Sequence, residues 1–315
     1  MFIATGWVGA RVPLATASSI VVVGSLNMDL VLDLPRVPMP GETLCGRKLM
    51  LVPGGKGANQ AVACARLGGR VAMIGRVGAD EFGEKLRRRL TEDGVGLVQV
   101  TIDSAASTGV AVILLDDSAQ NRIMIIPGAN GTLTPVHVDE AGSLIDAAGL
   151  MLVQLEIPLP SVERAIERAV KAGTRVLLNP APAQALPLSI WPHIDYCVPN
   201  ETEASQLTGI EITDIPSASN AAYELLRFGV RHVLMTLGSK GVLVADAHGI
   251  RDYAPPKVQT VDTTAAGDTF IGALSAALSE KSDLDEAAKF AVRAAALSVT
   301  RIGAQSSIPY RRELS

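Results

Sequence analysis

LMLVQLEIPLPSVERAIERAVKAGTRVLL, residues 150–178, decides the fold class. It reads as a strand over 150–155, a helix over 161–172 and a second strand over 175–178. Working outward, the same rhythm continues on both sides. A helix over 135–147 comes before it. A strand at 196–198, helices over 201–207 and 218–228 and a strand at 232–237 come after it. Residues 242–245 and a short strand near Tyr253 read as an antiparallel excursion, and helices over 266–278 and 283–300 close the core. Alternation of this kind makes an α/β layer around a mostly parallel sheet. The active site of such a sheet belongs at the carboxyl ends of its strands.

Upstream, residues 20–23 are wholly apolar and end at Gly24, as in a strand buried on both faces. A helix over 58–67, a strand over 70–74 and a charged amphipathic helix over 80–92, with Phe82, Leu86 and Leu90 on its apolar side, follow the same pattern. Two stretches differ. Residues 29–52 alternate apolar and polar and are broken by Pro35, Pro38, Pro40 and Gly41. Strands at 98–102, 109–115 and 122–126 have a similar texture. Both stretches are expected to join in one small sheet standing off the main body.

Hydrophobic residues make up 48% of the 315 and charged residues 19%, the reverse of a disordered chain. The net charge of −4 gives no global attraction for nucleic acid or an anionic membrane. No apolar run reaches the length of a membrane span. Cys45, Cys64 and Cys197 are widely spaced, so neither a disulfide framework nor a zinc site is suggested, and a reducing cytoplasm fits best. Residues 1–19 carry one charge, Arg11, and lack the basic start of a secretory signal. They read as a flexible extension or a start codon placed too early, with a degenerate targeting segment as the alternative.

Four local patterns bear on chemistry. In VDTTAAGDTF, residues 261–270, small residues at 265–267 allow close backbone approach, and the start of the following helix would aim its amides at an anion. Asp268, in the first turn, can take a proton from an attacking hydroxyl. Plain helix capping by Asp or Thr is the competing explanation. In PGGKGANQ, residues 53–60, neither a P-loop nor GxGxxG is present. Its adjacent glycines would let the backbone approach a small ligand, and Asn59 suits vicinal hydroxyls. The competing explanation is an ordinary glycine turn feeding a helix. Asn27 and Asp29 follow the first buried strand at the rim where ligands bind, and Glu156 has the same position after its strand. An Asx turn explains Asn27 and Asp29 equally well. Asn200 and Glu203 form a capping box, or Glu203 organises hydrated Mg2+. Thr236, Gly238 and Ser239 end a strand and would meet a nucleotide's phosphates, or simply form a hairpin turn. The four histidines form no pattern.

In this order GSLNMDLV, PGGKGANQAVACARLG, NETEA, LGSKGV, VDTTAAGDTFIGALSAAL and RIGAQSSIP resemble the ribokinase-like family of carbohydrate kinases, nearest its ribokinase branch, over about residues 20–310. The resemblance implies a three-layer αβα domain over 20–315 with a β-sheet lid inserted at about 29–52 and 98–126. It implies transfer of the ATP γ-phosphate to O5 of D-ribose, with another small sugar or nucleoside (deoxyribose, fructose, adenosine) as the rival substrate. A non-catalytic sugar-binding protein is a further alternative. Asp268 would be the general base and the amides of Ala265, Ala266 and Gly267 the anion hole. Asn27, Asp29, Gly55, Lys56, Asn59, Glu156 and Asp268 would contact the sugar. Asn200, Thr236, Gly238, Ser239 and Gly267 would face the nucleotide, and Glu203 would act on Mg2+ indirectly. K+ would sit among Asp262, Thr264, Ser298, Arg301, Gly303 and Ser307. The lids of two subunits would clasp in a homodimer. Ile271, where Asn is frequent in the family, and Val292, where a polar or aromatic residue often borders the adenine, depart from the pattern.

Overall fold

The computed structural model describes residues 19–117 and 121–314. The leader expected to be flexible lies outside the described residues, apart from Ser19. The chain begins with β1 (Ser19–Val23), β2 (Asn27–Asp33), β3 (Lys48–Gly54) and α1 (Lys56–Arg66). Next come β4 (Val71–Gly78), α2 (Glu81–Glu92), β5 (Gly96–Asp103), β6 (Gly109–Leu115) and β7 (Asn121–Ile126). α3 (Pro135–Glu140), α4 (Gly142–Asp146), β8 (Ala148–Val153), α5 (Leu159–Ala172), β9 (Arg175–Leu178) and β10 (Tyr196–Cys197) follow. The chain closes with α6 (Glu201–Thr208), α7 (Ile215–Arg227), β11 (His232–Thr236), β12 (Val242–Asp246), β13 (Gly249–Tyr253), α8 (Ala266–Ser279) and α9 (Leu284–Ser298).

Among the described residues nine strands form one sheet in the order β13-β12-β11-β10-β9-β8-β1-β4-β5. It is parallel from β11 to β5, and only β12 and β13 run antiparallel. β1 lies deep in this sheet because both of its faces are apolar. Ile20 and Val22 join the core beneath α1, α2, α8 and α9, whereas Val21 and Val23 join the core beneath α3 to α7. Each fully buried aliphatic side chain contributes about 1.5–3 kcal/mol, so a strand with two apolar faces belongs between two helical layers. No helix among the described residues is long and apolar enough to cross a membrane.

A second sheet, in the order β3-β2-β6-β7, stands apart from the first. The expectation that residues 98–102 belong to it is corrected: β5 pairs in parallel with β4 at the edge of the large sheet. An edge strand is bonded on one side and incompletely covered, so it alternates much as a lid strand does. Val98 is 87% exposed while Val100 is buried. The inserted segment that follows β5 therefore contributes β6 and β7 alone to the small sheet.

The helices that bring the site together cross at very short range. A Cβ built on Gly272 of α8 would lie 2.3 Å from Cβ of Ala63 and 2.8 Å from the amide nitrogen of Cys64. Ala58, Ala61 and Ala63 on α1 and Ala273 and Ala276 on α8 are fully buried around this crossing. α8 is buried from Asp268 to Ser279, and Ser275 and Ser279 donate their hydroxyls back to the carbonyls of Ile271 and Ala276. Polar groups inside a core need such partners.

At its other end α1 carries Arg66, which makes a bidentate pair with Asp93 at 2.7 and 2.9 Å. Both side chains are about 3% exposed. The same guanidinium donates to the carbonyls of Gln305 and Ile308 and so ties the C-terminal segment to α1. Arg66→Ala would remove the bidentate partner of a buried carboxylate and leave it only the longer contacts to Arg89 at 3.5 Å and Tyr310 at 3.4 Å, a loss of about 2–4 kcal/mol. Urea unfolding is expected to show this as a lowered midpoint with an unchanged slope, and a midpoint within experimental error of the parent would refute it.

Candidate active site

α8 begins after Ala265, whose φ of 58° is left-handed, and its N-cap position has no side-chain cap. A left-handed residue followed by helical ones turns successive amides into an anion-binding concavity. The amide of Ala266 donates to the carbonyl of Thr263 at 3.2 Å. Among the described residues those of Ala265 and Gly267 have no acceptor. A Cβ at Gly267 would meet nothing within 4 Å, so the backbone opens onto free space there.

Asp268 is the third residue of α8, yet it does not cap the helix. It is 8% exposed, and its two carboxylate oxygens accept from Asn59 Nδ2 and Gln60 Nε2 of α1, each at 3.0 Å. The capping explanation therefore fails for Asp268. Capping does account for the two residues at the start of α6. Asn200 Oδ1 accepts from the Glu203 amide at 2.8 Å, and Glu203 accepts from the Asn200 amide at 2.9 Å.

α1 starts at Lys56, two residues before the sequence suggests, because Gly55 makes the turn. Its φ is +88°, and a Cβ there would lie 2.7 Å from the amide nitrogen of Asn27. The space beside this glycine is taken by the β1–β2 junction, which no side chain at 55 would allow. Asn27 and Asp29 lie on β2, with Asp29 opposite Val52 and Ala111. Asn27 is held by Asn130, which donates to its Oδ1 at 2.8 Å and also bonds both backbone groups of Leu26. Glu156 accepts from Ser25 Oγ at 2.5 Å and from the Lys56 amide at 3.1 Å.

Charge is concentrated here. Burial, then the carboxylates of Glu156 and Asp268, push Asp29 up to about 7. Burial alone would depress the Lys56 ammonium. The carboxylates of Asp268, Glu156 and Glu203 outweigh it and hold the group above its ordinary value. Burial, followed by repulsion from Asp268, raises Glu203, against its bond to the Asn200 amide and the attraction of Lys56.

Two cavities meet at this point. The larger, about 720 Å³, is lined by Thr236, Gly238 and Ser239 at one end and by Phe270, Val292 and Ala296 at another. The smaller, about 170 Å³, is lined by Lys56, Asn200, Glu203, Ala265, Asp268 and Ile271 among others. Thr236, Thr263, Ala266 and Gly267 line both. Thr236 and Asn200 are neighbours through an isolated parallel bridge.

The candidate cation residues are brought together only partly by side chains. Asp262 accepts from the amide and hydroxyl of Thr264 and from the amide of Gly303. Val299 accepts from the amides of Val261 and Asp262. The hydroxyls of Ser298 and Ser307 donate to the carbonyls of Ala295 and Ala304, and the Arg301 side chain pairs with Glu313.

Sequence reasoning missed Ser25, Gln60, Asn130, Gln154 and Asn179. Gln154 and Asn179 end apolar strands, so the logic that found Glu156 would have found them. Gln60 stands inside the glycine motif, one residue after Asn59.

A sequence model of the "pfkB family carbohydrate kinase" description matches residues 17–311. The chain therefore belongs to the pfkB family of carbohydrate kinases. It is 44% identical over 295 residues to a ribokinase of Haemophilus influenzae, covering 94% of this chain and 96% of that one. A deoxyribokinase of Salmonella typhi is 39% identical, covering 92% and 95%. The solved structure of Arabidopsis thaliana ribokinase complexed with ribose and ATP superposes with a TM-score of 0.91 at 35% identity, covering 95% of this chain and 98% of that one.

Proposed function

We propose that this chain transfers the γ-phosphoryl group of ATP to O5 of D-ribose, giving D-ribose 5-phosphate and ADP. One observation carries the reading. Asp268, buried and unused as a cap, lines the smaller cavity together with Ala265 and Gly267, whose amides are free, and that cavity shares four lining residues with the larger one. A base beside an anion hole serves a transfer reaction, whereas sugar binding alone needs neither. The similarity to ribokinases supports ribose as the acceptor. The deoxyribokinase relative keeps 2-deoxyribose as the rival.

In this reading Asn27, Asp29, Gly55, Asn59 and Glu156 hold the sugar with its O5 toward Asp268. Asp268 takes the hydroxyl proton as the oxygen attacks, a contribution of about 10²- to 10⁴-fold. The free amides of Ala265 and Gly267 and the Lys56 ammonium meet the charge that develops on the migrating group, while the Ala266 amide is engaged by the Thr263 carbonyl. Positioning and electrostatics suffice, with no covalent enzyme intermediate. Thr236, Gly238, Ser239 and Asn200 border the nucleotide, and the small sheet closes over the sugar and excludes water.

Mg2+ fits as an ion that arrives with the phosphates. The described residues hold no cluster of acidic, His or Cys side chains that would cage a metal, and Mg2+ commonly keeps its waters. Glu203, engaged with Asn200, would act on it through water. K+ fits the oxygen-rich turn of Asp262, Thr264, Ser298, Arg301, Gly303 and Ser307, where it would order the anion hole from behind. The reducing cytoplasm suits the three free thiols. A homodimer through the lid suits its exposed apolar residues, Leu49, Leu51, Ile123, Met124, Ile125 and Ile126. Light scattering across working concentrations is expected to give a dimer, and monomers alone would refute it.

ADP release with ribose, 2-deoxyribose, fructose and adenosine, with and without K+, tests the reaction. Ribose is expected to give the highest kcat/KM, with a higher rate in K+. Equal turnover of every acceptor would sink the assignment. Asp29 supplies a second check. If its carboxylate must be ionised to accept from the sugar, kcat/KM rises about tenfold per pH unit below 7 and levels above it, since kcat/KM reports the free enzyme. Asp29→Asn should lose that limb. A flat parent profile between pH 6 and 8 would remove the role.

A further inference from the structure

Gln60 is fully buried and has three partners. Its Nε2 donates to Asp268 Oδ1 and to Asn179 Oδ1, each at 3.0 Å, and its Oε1 accepts from Gln154 Nε2 at 2.6 Å. Gln154 is also fully buried, and Asn179 is 6% exposed. Side-chain amides are hard to orient because either end can face a given neighbour. Here the orientation is forced. Asn179 Nδ2 faces the carbonyl of Val198 at 3.0 Å, and a carbonyl can only accept. Asn179 must therefore turn its oxygen to Gln60. Gln60 must answer with its NH2 group and present its own oxygen to Gln154. One backbone carbonyl thus fixes three amides in turn, and the result is an N–H aimed permanently at Asp268.

Packing does not explain this arrangement. Besides Asn59, which holds the other carboxylate oxygen, and Arg66 at the far end, the buried side of α1 is small or apolar: Gly57, Ala58, Ala61, Val62, Ala63 and Cys64. Three buried amides cost free energy unless their bonds are made, and an apolar residue at 60 would carry no such demand. Room has also been made for the relay. A Cβ on Gly24, just past the end of β1, would fall 2.1 Å from Gln154 Oε1. The residue that follows the strand is the one type that leaves space for it.

We propose that Gln60 is a positioning residue for phosphoryl transfer, its amide fixed through Asn179 and Gln154 so that it holds the Asp268 carboxylate in the rotation that receives the sugar's proton. The inference rests on Asp268 being the general base. Asn59 grips one oxygen of the carboxylate and Gln60 the other, so its plane is set from two sides. Loss of the Gln60 donor leaves a base that is present but free to turn. Substrate sites are left standing, and the loss falls on kcat.

The test is a double-mutant cycle on the full chain, with ADP release measured for the best acceptor sugar. Asp268→Asn alone is expected to lose at least about 100-fold in kcat. Gln60→Met, close in size but without a donor, is expected to lose about 10- to 100-fold in kcat, the worth of a hydrogen bond to a charged group, with KM for sugar and ATP within about 3-fold of the parent. In the Asp268→Asn background the same change should cost less than about 2-fold, because Gln60 acts only through the base. A merely structural residue would cost the same in both backgrounds, and that result overturns the proposal. So does a kcat within about 3-fold of the parent in Gln60→Met while Asp268→Asn is impaired, which leaves the general base standing. Near-normal turnover of Asp268→Asn instead removes the base itself. If Gln60→Met does not fold by urea unfolding, Gln60→Asn keeps an amide at the position but is one methylene too short to reach Asp268. It should show the same split between kcat and KM, and parental kcat there overturns the proposal equally.

Discussion

A carboxylate shut between two helices is the demand that the rest of this structure meets. Asp268 has little contact with water, and a buried charge without partners is costly. Its partners come from α1, and α1 can reach it only because the two helices cross almost backbone to backbone. That crossing requires Gly and Ala on both surfaces. The small residues of 58–63 and 272–276 are therefore part of how the carboxylate is held, as well as of how the core is filled. The scarcity of aromatic residues, 11 among 315, agrees with a core whose central contact would not tolerate them.

The same packing brings the remaining charges into mutual range. Asp29 arrives on β2 of the small sheet, Glu156 just beyond β8, and Lys56 at the head of α1. Asp29 feels both other carboxylates, and Lys56 answers three acidic groups with one ammonium. Acidic groups outnumber the one ammonium in this cluster, which favours a ligand that brings hydroxyl donors or a cation. Because Asp29 belongs to the small sheet and Asp268 to the main body, any movement of the one sheet against the other alters this balance directly.

The sequence disclosed the architecture where burial leaves a periodic trace, and much less where geometry decides. Residues 150–178 revealed the parallel sheet because strands covered on both faces are apolar throughout. Residues 98–102 misled because an edge strand of the large sheet alternates like a strand of the small one. Gly55 was recognisable as a special turn, but a one-dimensional string cannot say whether the space beside it holds a ligand or the β1–β2 junction. Asp268 was legible as a candidate, yet only distance separates a helix cap from a carboxylate gripped by another helix. Gln154 and Asn179 carry no charge to set them apart at the ends of their strands, so only their distances to Gln60 reveal them. A buried amide orients its neighbours as firmly as a charge does, through the direction of its donor.

The loop of residues 262–267 shows why these parts function as one. Ala265 sits in a left-handed conformation that costs an L-residue about 1–2 kcal/mol. Asp262 clamps the turn just before it by accepting from the amide and hydroxyl of Thr264, and it holds Gly303 with its other oxygen. Gly303 leads into the segment whose Gln305 and Ile308 carbonyls are bound by Arg66 at the far end of α1. α1 thus grips the base directly at its start and supports the anion-binding loop indirectly at its end. In the proposed reaction, a change at either end of this single helix is transmitted to one of the two groups that would face each other across the migrating phosphoryl group. The helix therefore sets the distance on which the chemistry depends.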